Sequence, residues 1–403
     1  MANSEKDSRV TRVEVRLPFG PVHPALKEPF SLSVNLFNEQ IIDAELRLNH
    51  VYRGIEKLAE SRNLIQANYL LERICGICSH THTTCFIQAV EKIGRIEISP
   101  RAAFLRTFVF ELERIHSHLL FVGLMGQELG FETLFMYAWT ARELVLDLFE
   151  EITGNRVHHT MNVIGGVRWD LTPKIMGKVT SSMQKIESSV KTIHTAIRNS
   201  NVEKRLRGIG ILSREEAIRT GVVGPVARAS GLVADVRIDN PYLSYKDLKE
   251  YYSIITKKEG DSHARTEVRV LELFESIRIL NAIMQQLPDG PIKQNENPLK
   301  IMQKIPTGEA ISMVEAPRGR VLYFLKTNGK GGLSKLMIRT PTLYNILSLR
   351  SLLKASEIAD IPAIFSSLDP CISCGTIIPT SEQDSAQTRL KELQSLSGSD
   401  DAL

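Results

Sequence analysis

The spacing of hydrophobic and polar residues changes along the chain and predicts strands first and helices later. Between residues 12 and 49, apolar and polar positions alternate in two runs, 13–17 and 30–36, with proline and glycine between them. A period of two is typical of strands that have one buried face. We therefore expect a small N-terminal β-sheet.

Apolar residues take helical spacing from about residue 63 onward. The expected helices cover residues 64–94, 101–130, 136–153 and 171 to about 200. Pro100 and Pro173 stand where a helix can begin, and Gly130 stands where one can end. The pattern predicts a central helical bundle, and its first helix carries a pair of cysteines.

The C-terminal half has mixed spacing. The expected elements are short helices and turns over 205–255, a helix over 267–286, strands over 308–326, and helices over 342–353 and 357–367. After residue 374 the chain is rich in Ser, Gln, Asp and Glu, which predicts a mobile tail beyond about residue 379.

The predicted fold class is α+β, mainly α, with a central helical bundle and small β-rich parts on its N-terminal and C-terminal sides. We divide the chain into an N-terminal β-rich segment (1–60), the helical bundle (61–200), a mixed α/β part (201–374) and the tail (375–403).

Composition narrows the class of protein. The chain has 403 residues, of which 43% are hydrophobic, enough for a large core. No run of about 20 apolar residues occurs, so we expect no membrane span. The N-terminus is polar, so we expect no signal peptide. The formal charge of +4 comes without a long Lys/Arg block, which argues against nucleic-acid binding. Five cysteines, an odd number, suit a reducing compartment, and we expect a cytoplasmic chain.

Four of the five cysteines stand in two Cys-x-x-Cys pairs, Cys75/Cys78 and Cys371/Cys374. Thiolates at this spacing bind soft or borderline metals such as nickel, iron-sulfur clusters or zinc. The pairs lie 296 residues apart, counted from Cys75 to Cys371, which is too far for a local zinc knuckle. The sequence therefore predicts one metal site closed across the fold, with structural zinc as an alternative to a catalytic metal.

Several segments carry a resemblance to a known family. LERICGICSHTH (71–82) and DPCISC (369–374) resemble the two signature segments of the large subunit of NiFe-hydrogenases. Further similar segments are FGPVHP (19–24), YRGIEK (52–57), ERIHSHL (113–119), GNR (154–156), GGVR (165–168) and EAPRG (315–319). They resemble the energy-converting, membrane-bound branch (group 4), which shares ancestry with the quinone-site subunit of respiratory complex I. The resemblance runs from about residue 17 to residue 374.

The resemblance implies a catalytic subunit that interconverts protons and electrons with dihydrogen. In the family, the residues matching Cys75 and Cys371 bind nickel terminally, and those matching Cys78 and Cys374 bridge nickel and iron. The iron carries cyanide and carbon monoxide, which makes a NiFe(CN)2CO centre. The resemblance also implies that Cys371 or Cys75 is the first base for the proton.

Other residues receive roles from the same resemblance. Glu28 matches the glutamate that relays protons, although without the resemblance it would be taken as a surface residue in a proline-bounded loop. His82 matches a histidine beside a bridging thiolate. Arg318 matches the guanidinium over the open coordination position, and Asp369 would hold it in place. An ordinary salt bridge of Arg318 with Glu315 or Asp369 is the alternative. Ser366 or Ser367 could donate to a cyanide.

The implied partners are a small hydrogenase subunit with a proximal iron-sulfur cluster, a ferredoxin-like subunit, antiporter-like membrane subunits, and ferredoxin as electron donor. The iron-sulfur clusters would lie in the partner subunit, and the chain would sit peripherally on the inner face of the cell membrane. Three features depart from the family pattern: no basic residue three positions after Cys374, Arg320 in place of a glutamate, and the segment GDSHAR (260–265).

The alternative hypothesis within the same family is a complex I-like subunit that binds quinone and transfers electrons without hydrogenase activity. In that case His23 would contact the quinone. Among the remaining candidates, Cys85 is expected to be a buried small residue, and His80 to lie on a helix surface. Glu113 and His116 form a single Glu-x-x-His motif, but a di-iron site needs two. We therefore expect His116 and His118 to be packing and hydrogen-bonding groups.

Overall fold

A computed structural model describes residues 14–22, 28–198 and 201–375 of the chain. Within these residues the strands form two three-stranded antiparallel sheets, ordered β1-β2-β3 and β6-β7-β8, and one short hairpin, β4-β5. The strands are β1 (Glu14–Phe19), β2 (Ser31–Phe37), β3 (Gln40–Arg47), β4 (Asn162–Val163), β5 (Gly166–Val167), β6 (Thr307–Ala316), β7 (Gly319–Asn328) and β8 (Leu333–Arg339).

Helices make up most of the rest. The first group is α1 (Ile55–Glu60), α2 (Leu64–Glu72), α3 (Ser79–Gly94), α4 (Pro100–Glu128), α5 (Glu132–Thr153), α6 (Pro173–Arg198), α7 (Asn201–Leu206) and α8 (Arg214–Thr220). The second group is α9 (Gly224–Ala229), α10 (Val236–Asp239), α11 (Ser262–Gln286), α12 (Pro298–Gln303), α13 (Pro341–Asn345), α14 (Leu349–Leu353) and α15 (Ile361–Ser367). The predicted α+β, mainly α class is confirmed. Among the described helices, none has the length and apolar character needed to cross a membrane.

The centre of the molecule is a helical bundle of α4, α5, α6 and α11, which share one hydrophobic core. Helix α4 begins as the sequence predicts: Pro100 is its first residue and the Ser99 hydroxyl accepts a hydrogen bond from the N–H of Ala102. Other elements surround α4, so polar residues in its middle, such as Glu113 and Ser117, are buried with the apolar ones. The helix therefore delivers polar groups to the interior.

Two further clusters adjoin the bundle. Helix α3 packs against β6 and β7, α1 packs against β8, and α2 packs on α1 and α3. This second core contains both cysteine pairs. The β1-β2-β3 sheet packs against α14 and α15 in a third cluster, where Leu32, Val34 and Leu36 point inward in alternation. The second cysteine pair follows α15, so it lies where the second and third clusters meet.

The structure corrects the predicted elements in two places. The helix expected over residues 64–94 is two helices, because α2 ends at Glu72 and the first cysteine pair lies in a non-helical segment before α3. The stretch expected to be helical over 342–353 is helical throughout, because a 3-10 turn over Ile346–Ser348 joins α13 to α14. Strand β8 was not predicted. The tail expected to be mobile and His23 lie outside the described residues.

Candidate metal centre

The first cysteine pair ends where α3 begins. Cys78 occupies the N-cap position of α3, but its side chain makes no capping hydrogen bond. Glu113 of α4 accepts instead, from the backbone N–H groups of His80 (2.6 Å) and Thr81 (2.9 Å) and from the Thr81 hydroxyl (2.5 Å). Burial raises the pKa of Glu113 to about 8. Because a carboxyl from another helix satisfies these donors, the thiol of Cys78 is left for other partners.

The second cysteine pair follows a tight turn after α15. Asp369 adopts a left-handed conformation (φ 53°), which Asp tolerates better than most residues, and turns the chain toward the first pair. The N–H of Cys371 donates to the Thr342 hydroxyl (3.1 Å), and the Thr340 hydroxyl donates to the Cys374 carbonyl (2.9 Å). These bonds hold the pair against α13 and the residue that precedes it.

The two pairs meet sulfur to sulfur. The Cys75 and Cys371 sulfurs lie 3.4 Å apart and those of Cys78 and Cys374 3.9 Å apart, and all four thiols are buried and free of disulfides. Two donor groups have ligand atoms within 4.8 Å of one another: Cys75, Cys371 and Cys374, and Cys78, His82 and Cys374. Cys374 belongs to both. Four converging soft donors fit nickel, iron or zinc, and the shared thiol fits two adjoining ions.

The thiols influence one another's protonation. Hydrogen bonds from Cys371, Cys374 and Cys78 lower the pKa of Cys75 well below its ordinary value. The same kind of contacts, from Cys371, Cys75 and Cys78, raise the pKa of Cys374. Four clustered thiols cannot all ionise without a cation between them, because like charges at this distance repel strongly. The arrangement is therefore suited to a bound metal ion.

Arg318 lies at the tip of the β6-β7 hairpin, one residue before Gly319. Its guanidinium donates to the carboxylate of Asp369 (2.8 Å), to the Asp369 carbonyl (2.8 Å) and to the hydroxyl of Ser117 (3.0 Å). Burial disfavours its charge, but Asp369 and the nearby thiols of Cys371 and Cys75 outweigh this effect and raise the pKa of Arg318. The guanidinium therefore stays charged beside the thiols.

His82 lies on the inner face of α3 beside the second pair. Its Nε2 is 3.6 Å from the Cys374 sulfur, and its Nδ1 is 2.8 Å from the hydroxyl of Tyr323. Burial lowers the pKa of His82 to about 4, so the ring is neutral at neutral pH. In a neutral imidazole, Nδ1 can accept a hydrogen bond from the Tyr323 hydroxyl while Nε2 carries the proton. The Nε2–H can then donate to the Cys374 sulfur.

Glu28 contacts the segment between Cys371 and Cys374. Its carboxylate accepts from the N–H groups of Ile372 (2.6 Å) and Ser373 (3.1 Å) and from the Ser373 hydroxyl. The carboxylate also borders an apolar cavity of about 280 Å³, lined mainly by side chains of the N-terminal sheet, α4 and α15, among them Phe30, Phe121 and Phe365. Glu28 is thus placed between the metal centre and this cavity, and it is not a free surface residue.

The other candidates are placed as follows. His80 is buried and its Nε2 lies 2.9 Å from the Arg106 carbonyl, so the prediction that it lies on a helix surface is wrong. That prediction fails because α3 is covered on every side over its first two turns. Cys85 is buried away from the four thiols, and burial raises its pKa to about 12. His116 and His118 are hydrogen-bonded inside the bundle as expected, with Arg142 and Glu272.

Sequence reasoning missed three groups at the centre: Glu113, Tyr323 and Arg53. The guanidinium of Arg53 donates to the carbonyls of Arg73 (3.0 Å), Ile74 (2.7 Å) and Ser373 (3.2 Å). Arg53 and Glu113 lie in the segments YRGIEK and ERIHSHL, which carry the family resemblance, but the resemblance gave neither residue a role at the centre. Their partners, like that of Tyr323, are distant in sequence, so no local pattern reveals these contacts.

Comparison with known proteins gives matches over nearly the whole chain. The family model described as respiratory-chain NADH dehydrogenase, 49 Kd subunit, matches residues 128–375, and that of nickel-dependent hydrogenase matches residues 53–125. The membrane-bound hydrogenase subunit alpha of Pyrococcus furiosus is 36% identical over 370 residues, covering 89% of this chain and 87% of that protein. The chain belongs to the family that unites these hydrogenase and complex I subunits.

Relatives in this family include both hydrogenases and complex I subunits. The carbon monoxide-induced hydrogenase of Rhodospirillum rubrum is 37% identical, covering 89% of this chain and 98% of that protein. An NADH-quinone oxidoreductase subunit of Sinorhizobium medicae is 33% identical, covering 89% of this chain and 95% of that protein. A chain of the membrane-bound sulfane sulfur reductase, an archaeal respiratory membrane complex, superposes with a TM-score of 0.85 at 32% identity, covering 91% and 98%. Family membership therefore supports a role in oxidation and reduction.

Proposed function

We propose that the chain is the catalytic large subunit of an energy-converting NiFe-hydrogenase, which reduces protons reversibly to dihydrogen. The observation that carries the proposal is the set of four buried thiols from two distant segments, with Cys374 shared between two donor groups. A purely structural zinc site needs four donors around one ion and has no use for a shared thiol next to a neutral histidine. The hydrogenase relatives point the same way.

In this proposal the thiolates of Cys75, Cys78, Cys371 and Cys374 would hold a NiFe(CN)2CO centre, with Cys75 and Cys371 as nickel ligands and Cys78 and Cys374 as ligands to both metals, as the family resemblance implies. Bound there, this NiFe(CN)2CO centre supplies heterolytic formation and cleavage of dihydrogen. His82 tunes the thiolate of Cys374 through its Nε2 contact.

The proton is handled by this chain's own residues. The Cys371 sulfur holds it first, and the carboxylate of Glu28, which is hydrogen-bonded to the next two residues, takes it outward. Arg318 presents a fixed positive charge beside the thiols, and Asp369 holds the guanidinium with a hydrogen bond to its carboxylate and another to its carbonyl.

The electrons need a partner, because Cys85 is the one cysteine outside the two pairs and it is buried away from them. We propose a small subunit with a proximal iron-sulfur cluster, fed by a ferredoxin-like subunit and by ferredoxin. Relatives named as membrane-bound complexes favour antiporter-like membrane subunits that couple turnover to ion translocation, with this chain peripheral on the inner face of the membrane.

The test is infrared spectroscopy on the purified complex together with nickel and iron quantification. We expect cyanide and carbon monoxide stretching bands and about one nickel per chain, the stoichiometry of the proposed centre. A complex that contains zinc and lacks both nickel and these bands would contradict the proposal and support a structural zinc site.

A second candidate is a complex I-like subunit that binds quinone and transfers electrons. It is favoured by the apolar cavity beside Glu28, which is large enough for a quinone head group, and by the complex I relatives. His23, the residue expected at the quinone, lies outside the described residues. Quinone-dependent turnover by the complex, in the absence of nickel and of hydrogen evolution, would favour this candidate.

A further inference from the structure

Arg53 bridges the two segments that carry the cysteine pairs. One guanidinium nitrogen donates to the carbonyl of Arg73, and another donates both to Ile74 in the first segment and to Ser373 in the second. A planar guanidinium can reach three carbonyls at once, whereas an ammonium on a flexible stem cannot hold all three in fixed directions. These bonds therefore tie the two metal-binding segments directly to each other.

The second segment is held from opposite sides. Glu28 accepts from the N–H and hydroxyl of Ser373, while Arg53 donates to the carbonyl of the same residue. Ser373 lies between Cys371 and Cys374, so movement of this one residue moves both thiols. An anion and a cation on opposite sides of its backbone restrict that movement.

Arg53 differs from the rest of the centre in being exposed, since the thiols and Arg318 are buried. Its hydrogen bonds can therefore open from the solvent side without disrupting the core.

We propose that Arg53 is a positioning residue that clamps the second cysteine pair onto the first and so controls how fast the metal centre loses its metal. The inference rests on the proposed function for the identity of the metal, but the clamp itself concerns the two backbone segments. When the three bonds open, the loop containing Cys371 and Cys374 is released from one side; when they close, the four thiols are held together.

The test compares Arg53→Lys, Arg53→Met and the wild-type complex. Lys57→Met is the matched control, because Lys57 is an exposed cation on the adjacent helix α1 that pairs with Glu60 and not with the centre. Nickel remaining on the chain is measured during incubation with EDTA at raised temperature. We expect both Arg53 variants to lose nickel at least about tenfold faster than the wild type, a factor equivalent to about 1.4 kcal/mol, and the control to match the wild type.

Infrared bands separate the two contributions of Arg53. Arg53→Lys retains the charge and should keep the cyanide and carbon monoxide frequencies while losing nickel faster. Arg53→Met also removes a positive charge near the centre, which should lower the frequencies. A variant that differs only in general stability should leave both the cyanide and the carbon monoxide frequencies unchanged. Equal rates of nickel loss in the wild type and the three variants would overturn the clamp.

Hydrogen–deuterium exchange tests the clamp without reference to the metal. We expect the backbone amides of residues 371–375 to exchange faster in both Arg53 variants, with helix α4 unchanged. If the complex contains no nickel but this exchange still accelerates, the proposed function fails and the clamp stands. If exchange in residues 371–375 is unchanged, or rises equally throughout the chain, the clamp is wrong.

Discussion

The carboxylate of Glu28 meets the backbone of residues 372 and 373, immediately after Cys371. If it carries protons, Glu28→Gln should lower hydrogen evolution by about 10²–10⁴, the usual contribution of a positioned acid or base. The amide has nearly the same shape, but its nitrogen cannot accept a hydrogen bond, so one contact with Ile372 or Ser373 is lost and activity must be expressed per bound nickel. Glu28→Asp, which keeps a titratable group, should retain more activity. A Gln variant as active as the wild type would exclude Glu28 from the proton route.

Arg318 and Asp369 form a buried ion pair, with both side chains 8% exposed. Removing one partner leaves the other charge buried with only a longer contact, 3.8 Å from Asp369 to Arg269. Arg318→Met should therefore destabilise the metal-free chain by about 3–5 kcal/mol in denaturant unfolding. Arg350→Met is the matched control, because Arg350 and Asp43 form a similar pair in which the side chains are 72% and 40% exposed. The control should cost at most about 1 kcal/mol, and equal losses would contradict the argument.

At the scale of elements, the position of Arg318 depends on how the β6-β7 hairpin meets α9. Gly319 has φ of 125°, and a Cβ there would lie 2.8 Å from the backbone nitrogen of Gly224. Gly319→Ala should therefore lower the melting temperature and displace the hairpin tip. Gly177→Ala, in an exposed position of α6 with open space around it, should instead stabilise the chain by about 0.5–1 kcal/mol. An unchanged melting temperature in the Gly319→Ala variant would show that the hairpin tip can shift without cost.

The elements also show what the sequence can and cannot predict. The long helices could be predicted because their apolar residues repeat every three or four positions and Pro100 or Pro173 marks a start. The meeting of the cysteine pairs followed from their metal-ligand spacing and their separation in the sequence, and the contact of Arg318 with Asp369 followed from the family resemblance. The contacts of Arg53, Glu113 and Tyr323 could not be predicted, because their partners are brought near only by tertiary packing.

Over the whole molecule, a network of buried charged residues lies behind the metal centre. Composition alone would place such residues on the surface. The network contains Arg114, Arg228, Arg237, Glu111, Asp235, Glu272 and Glu315. Each guanidinium is paired with at least one carboxylate, which offsets part of the cost of burying it. Arg114 also donates to the carbonyls of Glu315 and Ala316, so the network supports the strand that leads to Arg318.

Buried titratable groups of opposite kind give the metal-free chain a stability maximum. Burial lowers the pKa of His116 to about 3 and that of His118 to about 4, from an ordinary value of 6.5. Below pH 6.5 the unfolded chain binds protons that the folded chain does not, so stability should fall as the pH is lowered toward 4. Glu113 acts in the opposite direction, because its pKa rises from 4.5 to about 8 and the folded chain keeps a proton that the unfolded chain releases. Its contribution is lost as the pH rises from 4.5 to 8.

The variant Glu113→Gln isolates the second effect. The amide cannot titrate, so only the wild type loses stability as Glu113 ionises. The free energy of unfolding of the wild type minus that of the variant should therefore fall steadily from pH 4.5 to pH 8, by an amount on the order of a few kcal/mol. The fall on the acid side, which comes from the histidines, should be the same in both proteins. Denaturant unfolding of the metal-free chain at intervals between pH 4 and pH 8 measures both slopes. If the difference is constant over this range, Glu113 is ionised in the folded chain at neutral pH, and it caps α3 as a permanent anion.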